Sequence, residues 1–173
     1  MLIGLARSLA DKSLPTRIAQ RLICLCLVLA AGPAFAMPSG CGLPEITSAR
    51  ELQQFLSLRA VEVIKRAANR DDGLTALIAS SASFSLGAGD VGRPLGTGVA
   101  GARELARTMN ADTYRFFGWD YMDMPADACS RHKAVVEFID SHAKNVSRME
   151  FVFESGRVVS ATGWERSYVS GRL

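Results

Sequence analysis

This chain has little in the way of a long apolar run. Its most hydrophobic stretch, Leu22-Ile23-Cys24-Leu25-Cys26-Leu27-Val28-Leu29-Ala30-Ala31, falls well short of the roughly 20 residues a bilayer requires. It has only two histidines, His132 and His142, and no completing set of cysteines or carboxylates around them, so no metal centre and no cofactor are expected. It has no internal repeat and no block of like charge, which removes solenoids and acidic or basic tails from consideration. Tryptophan is restricted to Trp119 and Trp164. No residue set forms a recognisable catalytic motif, and whether the chain is an enzyme is left open at this stage.

What is present first is an export signal. Arg7, Lys12, Arg17 and Arg21 form a basic leader ahead of the short apolar core, and Ala34-Phe35-Ala36 offers small residues to a signal peptidase. Cleavage after Ala36 leaves residues 37–173, of which 37–44 form a short Gly/Pro-rich leader and 45–173 a single domain. The formal +3 charge of the whole chain departs with the four leader cations and Asp11, leaving a neutral remainder with no basic patch for nucleic acid. The expected location is periplasmic or secreted, with no membrane span after cleavage. The alternatives are an uncleaved N-terminal anchor and lipidation at Cys41, where Ser39-Gly40-Cys41 resembles the end of a lipobox.

Two of the four cysteines, Cys24 and Cys26, lie in the leader. The remaining pair, Cys41 and Cys129, suits a disulfide in an oxidising compartment. Closing so long a loop stabilises by roughly 4 kcal/mol in the chain-entropy picture.

The domain opens with a capping box, Ser48 followed by Glu51, and an apolar stripe at helical spacing: Leu52, Phe55, Leu56, Ala60, Val63, Ile64, Ala67. A short helix is expected around Leu74, Leu77 and Ile78, with Asp71 or Asp72 as cap. Ala82–Leu86 alternates as a strand, 87–101 reads as a glycine-rich loop, and Val99–Met109 returns to helical spacing until Asn110 stops it. From Thr113 the pattern is β: Thr113–Met124, Arg131–Asp140, Ser147–Glu154 and Arg157–Val169, the last two joined by Ser155-Gly156 as a hairpin. Helices early and long antiparallel strands late predict an α+β fold, with a curved antiparallel sheet wrapping the N-terminal helices on one face.

Three stretches carry a resemblance to a known family. They are 69–78 before the Phe84 strand, Pro94-Leu95-Gly96-Thr97-Gly98 running into Gly101-Ala102-Arg103-Glu104-Leu105, and Met149-Glu150-Phe151-Val152-Phe153-Glu154-Ser155-Gly156-Arg157-Val158-Val159. The order resembles the nuclear transport factor 2-like superfamily and its SnoaL-like group, of cystatin-like fold. The resemblance implies a cone-shaped half-barrel with a pocket between sheet and helices. It also implies dimers through the outer sheet face in many members, and functions from isomerases and lyases to ligand binders and immunity proteins.

Several residues invite a chemical role. Asp120 and Asp123, set among Trp119, Tyr121, Met122 and Met124, and the imidazole of His132 are the candidate catalytic bases, since apolar surroundings raise a carboxyl pKa toward neutrality. Trp119, Tyr121, Trp164, Arg166 and Tyr168 are the candidate ligand-binding residues; Trp164, Arg166 and Tyr168 share one strand face, which is either a pocket or an interface. Glu137 lies between Val136 and Phe138, and the alternation does not say to which face it turns. Gly87-x-Gly89-x-x-Gly92 and Gly96-x-Gly98-x-x-Gly101 match a dinucleotide fingerprint in letters only, because Arg93-Pro94-Leu95 intervenes and the later strands look antiparallel. Asn145-Val146-Ser147 fits a glycosylation acceptor at a hairpin tip. Three functions remain: an exported binder of a small apolar or ring-bearing ligand, a small lyase or isomerase with an Asp or His base, and an interaction or immunity-type protein acting through its outer sheet.

Overall fold

The computed structural model describes residues 43–44, 46–116 and 129–168, all within the unit Pro38–Leu173. The expected start signal works as chemistry predicts. Ser48 Oγ accepts the Glu51 N–H at 3.2 Å, and the Glu51 carboxylate reaches back one residue further than a standard box, accepting Thr47 N–H and Oγ1 at 2.8 Å. That cap, worth about 1 kcal/mol, opens α1 (Ala49–Ala68), which buries Leu52, Leu56, Ala60, Val61, Val63, Ile64 and Ala67. A single turn, α2 (Leu74–Leu77), follows. Asp71 does not cap it from the side; its Oδ1 accepts the Gly73 N–H at 2.7 Å in a local turn.

The strands are β1 (Ile78–Ala88), β2 (Pro94–Thr97), β3 (Thr113–Phe116), β4 (His132–Asp140), β5 (Asn145–Glu154) and β6 (Arg157–Ser167), with α3 (Gly98–Met109) between β2 and β3. The fold is α+β, and the six strands form one sheet in the order β2-β1-β6-β5-β4-β3 that does not close into a barrel. Four pairings are antiparallel, and β1 pairs with β6 in parallel. An all-antiparallel sheet was the sequence expectation; the parallel pair arises because everything from α3 through β5 intervenes before β6 returns beside β1, and residue alternation does not encode strand direction. The turn between β5 and β6 has Ser155 at φ 49° and Gly156 at φ 69°, the primed geometry that matches strand twist. Arg59 of α1 donates to the Gly156 carbonyl at 2.8 Å and locks that hairpin to the helix.

The sheet's inner face meets the helices. Phe84 and Leu86 from β1, Val136 and Phe138 from β4, Met149, Phe151 and Phe153 from β5 and Ala161 from β6 are buried with the α1 stripe, Leu105, Ala106 and Met109 in one core. The glycine-rich segment is more ordered than a loop. Gly87 belongs to β1, Gly96 to β2, and α3 begins at Gly98. The glycine spacing that resembles a dinucleotide fingerprint is explained by packing. A Cβ on Gly98 would stand 2.7 Å from the Ser80 carbonyl oxygen, and one on Gly101 2.6 Å from the Gly96 carbonyl group. These residues let α3 lie directly on the β1–β2 hairpin, which is antiparallel and lacks the crossover a dinucleotide fold needs.

Asn145 is the first residue of β5 rather than a hairpin tip. Its Nδ2 donates to Glu165 at 2.9 Å, its Oδ1 accepts from Ser167 at 3.1 Å, and Ser147 is buried. Strand pairing thus commits the amide that glycosylation would require.

Candidate functional site

Between the C-terminal half of α1, the outer side of α3 and the β3–β4 end of the sheet lies a cleft of about 690 Å³, within the range of small-molecule sites. Its apolar wall is Val61 and Ile64 from α1, Ala106 from α3, Tyr114 from β3 and Phe138 from β4. Tyr114 and Phe138 are direct neighbours in register across β3 and β4, so the same alternation that builds the core delivers both to the cleft.

Polar groups concentrate around that wall: Lys65, Asn69 and Arg70 at the end of α1, Arg103, Glu104 and Arg107 along α3, and Asn110, Asp112 and Thr113 beyond it. Arg103 and Arg107 sit one turn apart and therefore share a face of α3. Glu104 is already committed: Arg107 donates to it twice, at 2.9 and 2.5 Å, and this hydrogen bonding holds its carboxyl below the usual range. Asp112 Oδ2 accepts the N–H of Ser141 at 3.1 Å and the Ser141 hydroxyl. Lys65 lies over the Tyr114 ring, 5.1 Å from its centroid.

The far wall is anchored by Asp140, which is 6% exposed. Its carboxylate accepts the N–H of Ala143 at 2.8 Å, Nδ2 of Asn110 at 3.0 Å and the N–H of His142 at 3.0 Å. Asn110, at φ 45°, ends α3 in the left-handed region that Asn tolerates. The Ala143 backbone bond first, then Asn110, and then His142, hold the Asp140 carboxyl below its ordinary value. A depressed folded value means stabilisation that is complete above the unfolded value near 4 and is lost as pH falls through the folded one. Asp140→Asn is therefore expected to be less stable than the native protein in urea at pH 7, and the gap is expected to narrow steadily below pH 4. A gap of equal size at pH 7 and pH 3 would show that the charge is not what Asp140 contributes.

The candidates named from sequence fall elsewhere or outside the described residues. Trp119, Asp120, Tyr121 and Asp123 lie outside the described residues, as does Cys41. His132 is half-buried at the start of β4, with Ser130 Oγ 3.3 Å from Nε2, and does not line the cleft. Trp164 and Arg166 do share a face, the one turned away from the helices. Trp164 is paired with Gly87 in the parallel register, and a Cβ there would stand 2.3 Å from its ring. Arg166 bonds Glu137 Oε1 at 3.0 Å. Tyr168 follows β6, and its N–H bonds the Lys144 carbonyl at 2.9 Å. Among the described residues no group of three or more His, Cys, Asp or Glu side chains gathers as a metal site would.

The cleft residues escaped sequence analysis for a physical reason. Lys65, Arg103 and Arg107 look like the solvated faces of two amphipathic helices, and only tertiary packing turns both faces toward one hollow. The usable signal was Asn110, whose helix-stopping character places Arg103 and Arg107 in the last turns before a chain reversal.

No family model matches the chain, and no curated protein does. Among solved structures, a protein of unknown function with a cystatin-like fold from Methylobium petroleophilum PM1 is 14% identical, covering 75% of this chain and 84% of that one, at a TM-score of 0.41. A phenazine biosynthesis-related protein from Pseudomonas aeruginosa is 11% identical, covering 72% and 83%, at a TM-score of 0.38.

Proposed function

We propose that this protein is an exported binder of a small apolar or ring-bearing molecule, and that the ligand occupies the cleft between α1, α3 and the β3–β4 end of the sheet. The observation that carries this is the cleft itself, about 690 Å³ with an aromatic and aliphatic wall and a polar rim. Binding is favoured over catalysis because its carboxylates are engaged, Glu104 by Arg107 and Asp112 by Ser141, so neither stands ready to take a proton. Export rests on the basic leader, the short apolar core and Ala34-Phe35-Ala36. A Cys41–Cys129 disulfide belongs to the same proposal and is supported by the single pair of cysteines that remains after the leader in an oxidising compartment.

The test uses N-phenyl-1-naphthylamine, a neutral fluorescent ring probe. Saturable binding to the purified protein is expected, and Ala68→Trp and Ala100→Trp, on facing walls, are expected to weaken it at least tenfold by filling the space. Both alanines are exposed, so thermal unfolding should hardly move. Unchanged binding in both variants would place the ligand elsewhere. The same preparation weighed intact should match residues 37–173 less two hydrogens; a retained leader or an added lipid would overturn the export and disulfide proposals.

A further inference from the structure

We propose that the cleft selects organic anions: molecules with an apolar or ring-bearing body and one acid group, the acid lying against Arg103, Arg70 and Lys65. The proposal rests on the cleft being the ligand site and adds to it the chemistry of the ligand.

The cleft carries positive charge that no carboxylate among the described residues neutralises. Of the four cations lining the cleft, Arg107 is spent on Glu104. Lys65, Arg70 and Arg103 have no carboxylate partner among the described residues. Lys65 meets only a ring face. Arg103 donates one long bond, 3.3 Å, to the Arg70 carbonyl, and its Nε is buried without a partner. A guanidinium has five N–H donors, and leaving them unmet near a low-dielectric wall is unfavourable. Two opposing terms exist: α1 and α3 both end at the cleft, each C-terminus acting as about half a negative charge, and Asp112, bonded to Ser141, adds a carboxylate to the lining. The three uncommitted cations still leave the cleft with an excess of positive charge.

Backbone conformation gives an independent indication. Arg70 sits at φ 56°, in the left-handed region where glycine or asparagine is the unstrained choice just past a helix end. Retaining arginine there is less favourable than glycine. The chain keeps a strained cation at the cleft rim, and its carbonyl in turn holds Arg103.

The geometry also orients the ligand. Val61, Ile64 and Phe138 supply apolar lining that cannot satisfy an acid. A carboxylate or sulfonate therefore faces α3 and the α1 terminus, where Arg103 can present two N–H groups side by side to it.

The experiment compares two probes of similar ring size, neutral N-phenyl-1-naphthylamine and anionic 8-anilinonaphthalene-1-sulfonate. Arg103→Met is expected to weaken the sulfonate about tenfold and leave the neutral probe within twofold. Arg70→Gly is expected to weaken the sulfonate about threefold while thermal stability holds or rises, since the glycine relieves backbone strain. Raising salt should weaken only the sulfonate. Equal losses for both probes, or none for the sulfonate, would overturn anion selection while leaving the cleft as a site. Insensitivity of both probes to Ala68→Trp and Ala100→Trp would overturn the site itself. If Arg103→Met fails to fold, Arg70→Gly alone decides, and an unchanged sulfonate affinity in it refutes the proposal.

Discussion

Gly101→Ala should lower the unfolding free energy by about 3 kcal/mol and the melting temperature by roughly 10 °C. Helix propensity alone predicts the opposite sign, because alanine in a helix interior is favoured over glycine by about 1 kcal/mol. Packing decides against it. The added methyl would stand 2.6 Å from both the carbonyl carbon and oxygen of Gly96 and 2.9 Å from Phe84 Cδ2. Two of those three atoms are backbone in β2, so no side-chain rotation relieves the contact. Relief requires lifting α3 off the β1–β2 hairpin, and α3 carries Arg103 and Arg107, so the cleft opens as stability falls. Gly89→Ala is the control. Nothing lies within 4 Å of a Cβ there, and its φ of 59° predicts only the backbone penalty of about 1 kcal/mol. Urea unfolding of the two variants separates the mechanisms. A stabilised Gly101→Ala would mean that α3 does not lie as close to β2 as described.

Much of the architecture was visible in the sequence, where local chemistry and tertiary structure agree. Ser48 and Glu51 marked the start of α1, the Leu52-to-Ala67 stripe marked its buried face, and Ser155-Gly156 marked the β5–β6 turn. Each is decided by neighbours within four residues, so periodicity and turn chemistry suffice. What was not legible depends on distant partners. Pro94–Thr97 looks like loop because two of its four residues are proline and glycine, yet it forms β2 by pairing as an edge strand beside β1, where proline is tolerated. The parallel β1–β6 pair has no local signature at all. Glu137 was undecidable because β4 buries residues on both faces, which erases the alternation that would have oriented it.

The candidate site divides in the same way. Aromatic residues drew attention as ligand contacts, but Trp164 covers Gly87 on the far side of the sheet, filling space a missing side chain leaves. The cleft instead draws its character from helix arginines and a lysine that look like ordinary surface charge. For Arg103 and Lys65 the meaning lies in having no carboxylate partner among the described residues, and pairing is a property of the folded chain. Arg107 has its acid three residues earlier on the same helix, whereas only the folded arrangement of α1, α3 and the β3–β4 end shows that no carboxylate among the described residues reaches Arg103.

Glu137 supports the second large effect, and it can be read as a change of sign. The carboxylate is 1% exposed on the face away from the helices, with Arg115 on Oε2 and Arg166 on Oε1. Its two partners are 44% and 64% exposed at the side chain, so they keep much of their hydration while the acid keeps almost none. Removing the acid therefore strands two solvated cations, which costs little; removing the cations strands a buried anion, which costs more. Glu137→Gln alone is expected to destabilise by about 1 kcal/mol. Arg115→Met with Arg166→Met, which keeps the apolar stems, is expected to destabilise by about 2 kcal/mol; the figure is held down because Arg148 remains opposite Glu137 in register. In that arginine-poor background Glu137→Gln should then stabilise, because it removes the stranded charge. The four proteins form a cycle whose coupling is measured by urea unfolding at fixed pH. If Glu137→Gln destabilises equally in both backgrounds, the arginines contribute packing alone, and Arg115, Glu137 and Arg166 are not an electrostatic unit.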